Sequence, residues 1–386
     1  MTEPMRTMGR QAWADVRDER TARMALACVS EPGDKGLGEL VAEDGAEAVW
    51  RSLWEGRRES RWGRRLGVVR LREVLSVMHQ RRIRFIMPGD AEWPEQLDDL
   101  SHAEHVGVKA RPLGLWAAGP GHLAEWADGS LAIVGTRIST PYGETIAADL
   151  AADVAARGVT VVSGGAYGID VCAHRGALSA RGRTIAVLAS GLDAPYPRGN
   201  ARVFEEIRAQ GILLSELPPG DRPSRPRFLS RNRVIAALAT GALMVEAKIR
   251  SGAQNTLRWA DKLSRHRMAV PGPVTSAQSE GPHQELRDGA TLVSSAAEVL
   301  EIIAPMGQET LPFPHGPSRV VDQLEAIQVD VFEAVPGSGG LLPEQIAEKC
   351  GRDLRTTLAV LGELEQIGLA EEDVRGRWRL RSGAVG

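Results

Sequence analysis

The sequence predicts an α/β fold: a doubly wound, mostly parallel sheet with a helical module before it and a small helix-and-hairpin unit after it. Three observations carry that prediction. Short apolar runs alternate with amphipathic stretches between residues 81 and 303, the rhythm of strands joined by crossover helices. Small or polar residues stand where those runs end, at Gly135, Ser163-Gly164, Ser190-Gly191, Ser215, Glu246 and Pro271-Gly272, so one edge of the sheet becomes a polar ledge. A proline- and glycine-rich stretch over residues 304–319 reads as a semi-rigid spacer before a last compact segment, 320–382.

At 386 residues, 43% hydrophobic and 25% charged, the chain has the composition of a soluble protein of roughly two to three domains. A net charge of −3 at pH 7 excludes a uniformly basic nucleic-acid binder and confines any such binding to local patches. Three scattered cysteines, Cys28, Cys172 and Cys350, suit neither a disulfide framework nor a metal cluster and imply a reducing cytoplasm. No signal peptide or membrane span is expected, because Glu3, Arg6 and Arg10 precede no apolar core.

Residues 1–80 read as an accessory helical module of the SAM or helix-hairpin kind. Helices are expected over 21–29 and 37–53, broken by Pro32-Gly33 and Gly36. Arg51, Arg57, Arg58, Arg61, Arg64 and Arg65 interleave with Trp50, Trp54 and Trp62, a mixture that grips single strands. Glu55 and Glu59 also stand as helical partners for those arginines, and the tryptophans serve equally well as core. Strands over 84–87 and 113–116, with a short helix over 93–100, extend the sheet or cap its edge.

The best-defined unit begins at residue 131. A buried strand over 131–135 runs into the polar turn 136–140. Thr140 is then the natural N-cap, and Pro141 the first residue, of a helix over 141–156. Ile146, Leu150 and Val154 share one face of that helix, and Gly158 stops it. A second strand, 159–163, leads through Gly164, Gly165 and Gly168 to another helix start at Asp170. Alternation continues with a helix over 172–178, a strand over 184–189, a helix over 202–209 and strands over 211–215, 242–246 and 267–270. A helix following Ser251-Gly252 runs to residue 260.

Such strand-to-helix turns gather at the carboxyl edge of a parallel sheet, where free N–H groups and helix dipoles favour phosphate. The dinucleotide fingerprint is absent after the first strand; G-T-R stands there instead, with Arg137 inside the turn. A guanidinium forks onto a phosphate but crowds a pyrophosphate laid on the backbone, which weakens a nicotinamide-cofactor reading. Pairing of Arg137 with a carboxylate is the alternative. Residues 225–233, RPRFLSRNR, form the densest basic cluster, with Phe228 and Asn232 among Arg225, Arg227, Arg231 and Arg233. Arginines suit a helix start poorly, so either an incoming phosphate backbone or salt bridges to Glu205, Glu206, Glu216 or Asp221 must favour them. Ser251-Gly252 with Thr256 repeats the phosphate logic, and Lys248 and Arg250 add charge beside it.

Catalysis has little support. Asp170 and His174 are one helical turn apart, but no nucleophile, carboxylate pair or metal-ligand spacing accompanies them, so Asp170 is expected to cap its helix and His174 to bond locally.

The stretches Gly135 to Gly143, Ser163 to Asp170 and Leu188 to Asp193, with Tyr196-Pro197, Phe228 to Ala236, Ser251 to Thr256 and Val270-Pro271-Gly272, resemble the DNA-processing protein A (DprA/Smf) family in order and spacing. The resemblance spans about residues 85 to 300 and implies an extended Rossmann-like fold over 81–303. It further implies binding of single-stranded DNA and more weakly of duplex, a homodimer formed through that domain, and delivery of strands to the RecA recombinase during natural transformation. No cofactor, metal or settled catalytic activity comes with it. By this resemblance Arg137 and the turn from Ser163 to Gly168 line the DNA pocket, while Arg231 and Arg233 border it. Tyr167 departs from the family pattern, which often has arginine there; a cation is lost, though a ring can stack on a base. The expected DNA-binding set is Gly135, Arg137, Thr140, Ser163, Gly164, Gly165, Tyr167, Gly168, Gly191, Phe228, Arg231, Asn232, Arg233, Lys248, Ser251 and Gly252.

The C-terminal segment reads as a winged helix: helices over 322–335, 343–349 and 353–366, then a hairpin turning at Val374-Arg375-Gly376. Arg352 and Arg355 favour duplex DNA, and Glu363, Glu365, Glu371 and Glu372 favour a protein contact. Two rival functions stay in view. A nucleotide phosphoribohydrolase-like Rossmann enzyme would need P-G-G-x-G-T-x-x-E, whereas Pro271-Gly272 is followed by Pro273-Val274. A winged-helix DNA-binding regulator would need sequence-specific duplex contacts.

Overall fold

The computed structural model describes residues 15–56, 61–105, 108, 111–304, 321 and 324–381. It divides into two units, Met1–Thr310 and Leu311–Gly386. The expected linker over 304–319 lies outside the described residues except for Ala304, as do Arg57, Arg58 and Glu59.

Helices α1 (Glu19–Val29), α2 (Lys35–Asp44), α3 (Ala46–Trp54) and α4 (Leu71–Arg81) form the N-terminal module. The single helix expected over 37–53 is two, because Gly45 takes φ +80° between α2 and α3. The Glu19 carboxylate holds that break: it accepts the Ala46 N–H at 2.9 Å and the Glu47 N–H at 3.2 Å, filling the start of α3. Trp50 is core, and Trp62 donates its indole N–H to Asp34, which Arg61 also pairs. The tryptophans and this arginine are therefore structural.

The sheet runs β1 (Arg84–Ile86), β2 (Leu115–Ala118), β3 (Leu131–Val134), β4 (Val161–Ser163), β5 (Thr184–Leu188), β6 (Ile212–Ser215), β7 (Gly241–Met244), β8 (His266–Ala269) and β9 (Thr291–Leu292). Its spatial order is β1-β2-β6-β5-β4-β3-β7-β8-β9. Strands β3 to β9 pair in parallel, and β1 and β2 add an antiparallel edge beyond β6. Every residue of β2 to β7 is buried, as both faces of a parallel sheet require. Alternate residues serve opposite cores. Leu131 and Ile133 face α6 (Pro141–Ala156), α7 (Ile169–Ser179), α8 (Ala201–Gln210) and the N-terminal module, while Ala132 and Val134 face α9 (Arg225–Leu238) and α10 (Gly252–Lys262). After β8 the chain adds α11 (Glu280–Arg287), β9 and α12 (Ala296–Ile303), the last closed by a Ser295–Glu298 capping box.

The second unit holds α13 (Ala326–Ala334), α14 (Pro343–Cys350), α15 (Leu354–Gln366) and the antiparallel pair β10 (Ala370–Glu372) and β11 (Trp378–Leu380). Val331, Ile346, Leu361, Leu364 and Trp378 form its core. Among the described residues no helix is long and apolar enough to cross a membrane.

Helices α6 and α7 touch backbone to backbone. A Cβ added at Gly176 would lie 2.1 Å from the Ala148 carbonyl oxygen. Gly176→Val is expected to force the helices apart and destabilise the first unit by about 1–3 kcal/mol, read as a lower urea midpoint at unchanged slope.

Candidate nucleic-acid interface

The chain leaves β3 in one direction for β4 and reaches β7 on the other side, so the turns after β3 and β7 diverge and a crevice opens between them. That crevice is a trough of about 670 Å³ at the carboxyl edge of the sheet. Its walls come from the β3–α6 turn, the β4–α7 turn, the first turns of α9 and the start of α10.

The β3–α6 turn is pinned at both ends. Thr136 donates its N–H to the Glu246 carbonyl at 2.6 Å and accepts the Ile169 N–H at 3.2 Å. Thr140 donates its N–H and hydroxyl to the Glu246 carboxylate at 2.9 and 2.6 Å. Arg137, between the two anchors, projects into solvent over the Phe228 ring, its guanidinium carbon 4.6 Å from the centroid. The Tyr196 ring lies 6.0 Å from Phe228. Gly168 takes φ +77°, and a Cβ there would lie 2.3 Å from the Thr136 carbonyl oxygen, so the β4–α7 turn closes against Arg137's own turn only with glycine.

Of the expected residues, the trough brings together Gly135, Arg137, Phe228, Arg231, Asn232, Ser251 and Gly252. Tyr167 is 47% exposed above its turn, and Lys248 is exposed on the loop after β7. Arg225 and Arg250 also line the trough, and no ion pair among the described residues engages Arg137, Arg225 or Arg250. These three are the free cations of the site.

Other expected contacts are structural. Ser163 is buried and donates to the Ile133 carbonyl at 2.6 Å. Gly164 is buried against the Arg231 guanidinium, and Gly165, with φ +66°, packs on Phe204 and accepts from Asn200. Gly191 is buried and donates its N–H to the Asp221 carbonyl. Thr140 is spent on Glu246. Arg233, expected at the border of the pocket, is 0% exposed and forks onto Glu216 at 2.6 and 2.8 Å. Arg227 pairs with Glu31 and Asp221. Depth along α9, invisible to a charge count, decides these roles.

Arg231 is 7% exposed and sits in the floor of the trough, donating to the Val187 carbonyl at 2.9 Å and facing Asp170. Burial pushes Arg231 down to about 10, with Asp170 opposing the fall, and burial pushes the Asp170 carboxyl up against the pull of Arg231. Asp170 is not the cap expected of it: the N-cap of α7 is Gly168, with no side-chain cap bond, and Asp170 stands inside the first turn facing Arg231, a pairing that carries no signal in sequence. His174 does not meet Asp170. Its Nδ1 lies 2.8 Å from Thr184 Oγ1, whose own proton goes to the Val161 carbonyl, so Nδ1 is the donor and Nε2 is a bare buried acceptor. Among the described residues no cluster of His, Cys, Asp or Glu suits a metal ion.

Residues 84–304 match the family described as DNA recombination-mediator protein A. The chain is 44% identical over 370 residues to a Mycobacterium tuberculosis protein provisionally named DNA processing protein DprA, covering 93% of this chain and 94% of that one. It is 34% identical over 315 residues to Protein Smf of Escherichia coli K12, covering 77% of each. In three dimensions it is similar to the X-ray structure of DNA processing protein A (DprA) from Streptococcus pneumoniae, with a TM-score of 0.62 and 26% identity over 74% of this chain and 98% of that one.

Two stability predictions follow from the buried groups. Arg233→Ala strands the Glu216 carboxylate and should cost about 3–5 kcal/mol in urea unfolding, with Arg233→Met/Glu216→Leu closer to wild type. Burial holds His174 down at about 3 from an ordinary 6.5, so only the unfolded chain takes up that proton between the two values. Stability should therefore fall as pH drops below 6.5 towards about 3, and His174→Phe should flatten that slope in urea melts repeated across pH.

Proposed function

The chain belongs to the DNA recombination-mediator protein A family, and from that premise we propose that it binds single-stranded DNA without sequence preference or catalysis, duplex more weakly, and hands the strand to the RecA recombinase. The setting is natural transformation, in the cytoplasm, with the protein a homodimer joined through its extended Rossmann domain, residues 81–303. The observation that carries the reading is Arg137 stacked on Phe228 beside Arg225 and Arg250, all at the topological switch point and none of the three cations spent on a carboxylate. A polyanion supplies what they lack: phosphates for the guanidiniums and bases for the rings. Tyr167, Lys248 and the start of α10 at Ser251-Gly252 extend the track. The second unit is read as a winged helix, its carboxylates favouring a protein partner as much as a duplex.

Anisotropy titrations of oligothymidylate at several salt concentrations test this. Arg137→Ala should weaken binding for every base composition and reduce the log–log salt slope by about 1. Phe228→Ala should cost about 1–3 kcal/mol of binding with little change in slope. Affinity unchanged in both variants would move the DNA site elsewhere.

A further inference from the structure

In doubly wound folds the helix after the first central strand opens on a ligand's phosphates. In this chain that seat, at the start of α6, is already full. Glu246 crosses from the end of β7, is 2% exposed, and takes both the N–H and the hydroxyl of Thr140 on its two carboxylate oxygens. The Thr140 oxygen in turn accepts the Gly143 N–H at 3.2 Å, so the carboxylate is wired into the first turn of the helix. The backbone is also cut to fit: a Cβ at Gly143 would lie 2.3 Å from Glu246 Oε2.

We propose that Glu246 is a resident anion occupying the phosphate seat of α6, which closes this sheet to nucleotide cofactors and fixes the β3–α6 turn so that Arg137 faces outward. The Glu246 carboxylate supplies negative charge at the helix start, and the Thr140 and Gly143 N–H groups find their acceptors within the chain. A tethered carboxylate outcompetes a free phosphate by its effective concentration, and the two cannot share one seat. Substrate choice follows: no mononucleotide or dinucleotide settles on α6, and a polymer meets Arg137 at the rim instead. The closing of the seat stands on geometry alone, whereas its consequence for the polymer rests on the DNA reading above.

The two halves are tested separately. Inorganic phosphate and ADP are titrated into the full chain carrying Arg137→Ala, which removes the rim cation carried by the β3–α6 turn itself, with melting temperature and heat of binding as readouts. That variant should respond to neither ligand, whereas Arg137→Ala/Glu246→Ala, with the seat emptied, should melt higher as phosphate rises. Glu246→Gln on the same background keeps the volume and should stay unresponsive. A folded double variant blind to phosphate, or saturable ADP binding by Arg137→Ala alone, overturns the proposal; the latter decides the matter even where the double variant does not fold. In the otherwise wild-type chain, Glu246→Ala should weaken oligothymidylate by about tenfold, the size of one charge-assisted contact. If the wild-type chain binds no oligonucleotide, the DNA reading fails while the phosphate titration still judges the seat.

Discussion

The contact between Glu246 and Thr140 is the constraint on which the trough depends. It joins the turns leaving two parallel strands at the one place where those turns part company. Charge-assisted hydrogen bonds of this kind contribute about 1.5–3 kcal/mol each when buried, enough to hold a five-residue turn that would otherwise leave its N–H groups to water. Thr136 adds a second anchor by bonding to both Glu246 and Ile169. Arg137 therefore sits on a loop in sequence but on a rigid mount in space, with Phe228 beneath it.

The same device recurs at the other end of the unit. Glu19 reaches from α1 to fill the start of α3, where Gly45 offers no side chain of its own. Distant acids thus close the starts of α3 and α6. The starts of α9 and α10 differ: their N-cap residues, Ser224 and Ser251, make no side-chain cap bond, and the Ser251 hydroxyl finds no partner among the described residues. Those two starts border the trough.

Much of this was legible in the sequence, and the reasons for the rest are physical. Apolar runs bounded by small residues locate the strands, because a strand buried on both faces has no other way to be written. Thr140 and Pro141 mark the start of α6, and the motif order around Gly135, Ser163 and Phe228 marks the family. Depth was not legible. In residues 225–233 four arginines look alike on paper, yet α9 starts at the rim and runs beneath the sheet. Arg225 stays outside, Arg227 is half-sunk against Glu31 and Asp221, and Arg231 and Arg233 are inside. Partners far apart in the chain, Glu216 for Arg233 and Asp170 for Arg231, decide which guanidiniums are free. The break at Gly45 was hidden for a similar reason, since the acid that stabilises it lies a helix away, and the two-residue β9 has too little sequence to announce itself.

Arg231 and Asp170 show what a buried charge pair does for a binding surface. Each is disfavoured by burial alone, and each is the other's main compensation. Placed in the floor, Arg231 fills the space that glycine leaves at position 164. The cations of the trough that no ion pair among the described residues engages are at its rim, Arg137, Arg225 and Arg250, and all three are exposed. Arg231, pushed down only to about 10, keeps its charge through the neutral range. The trough thus carries its unpaired cations at the exposed rim and its paired guanidinium in the floor, the arrangement on which the proposed grip on any stretch of phosphate backbone depends.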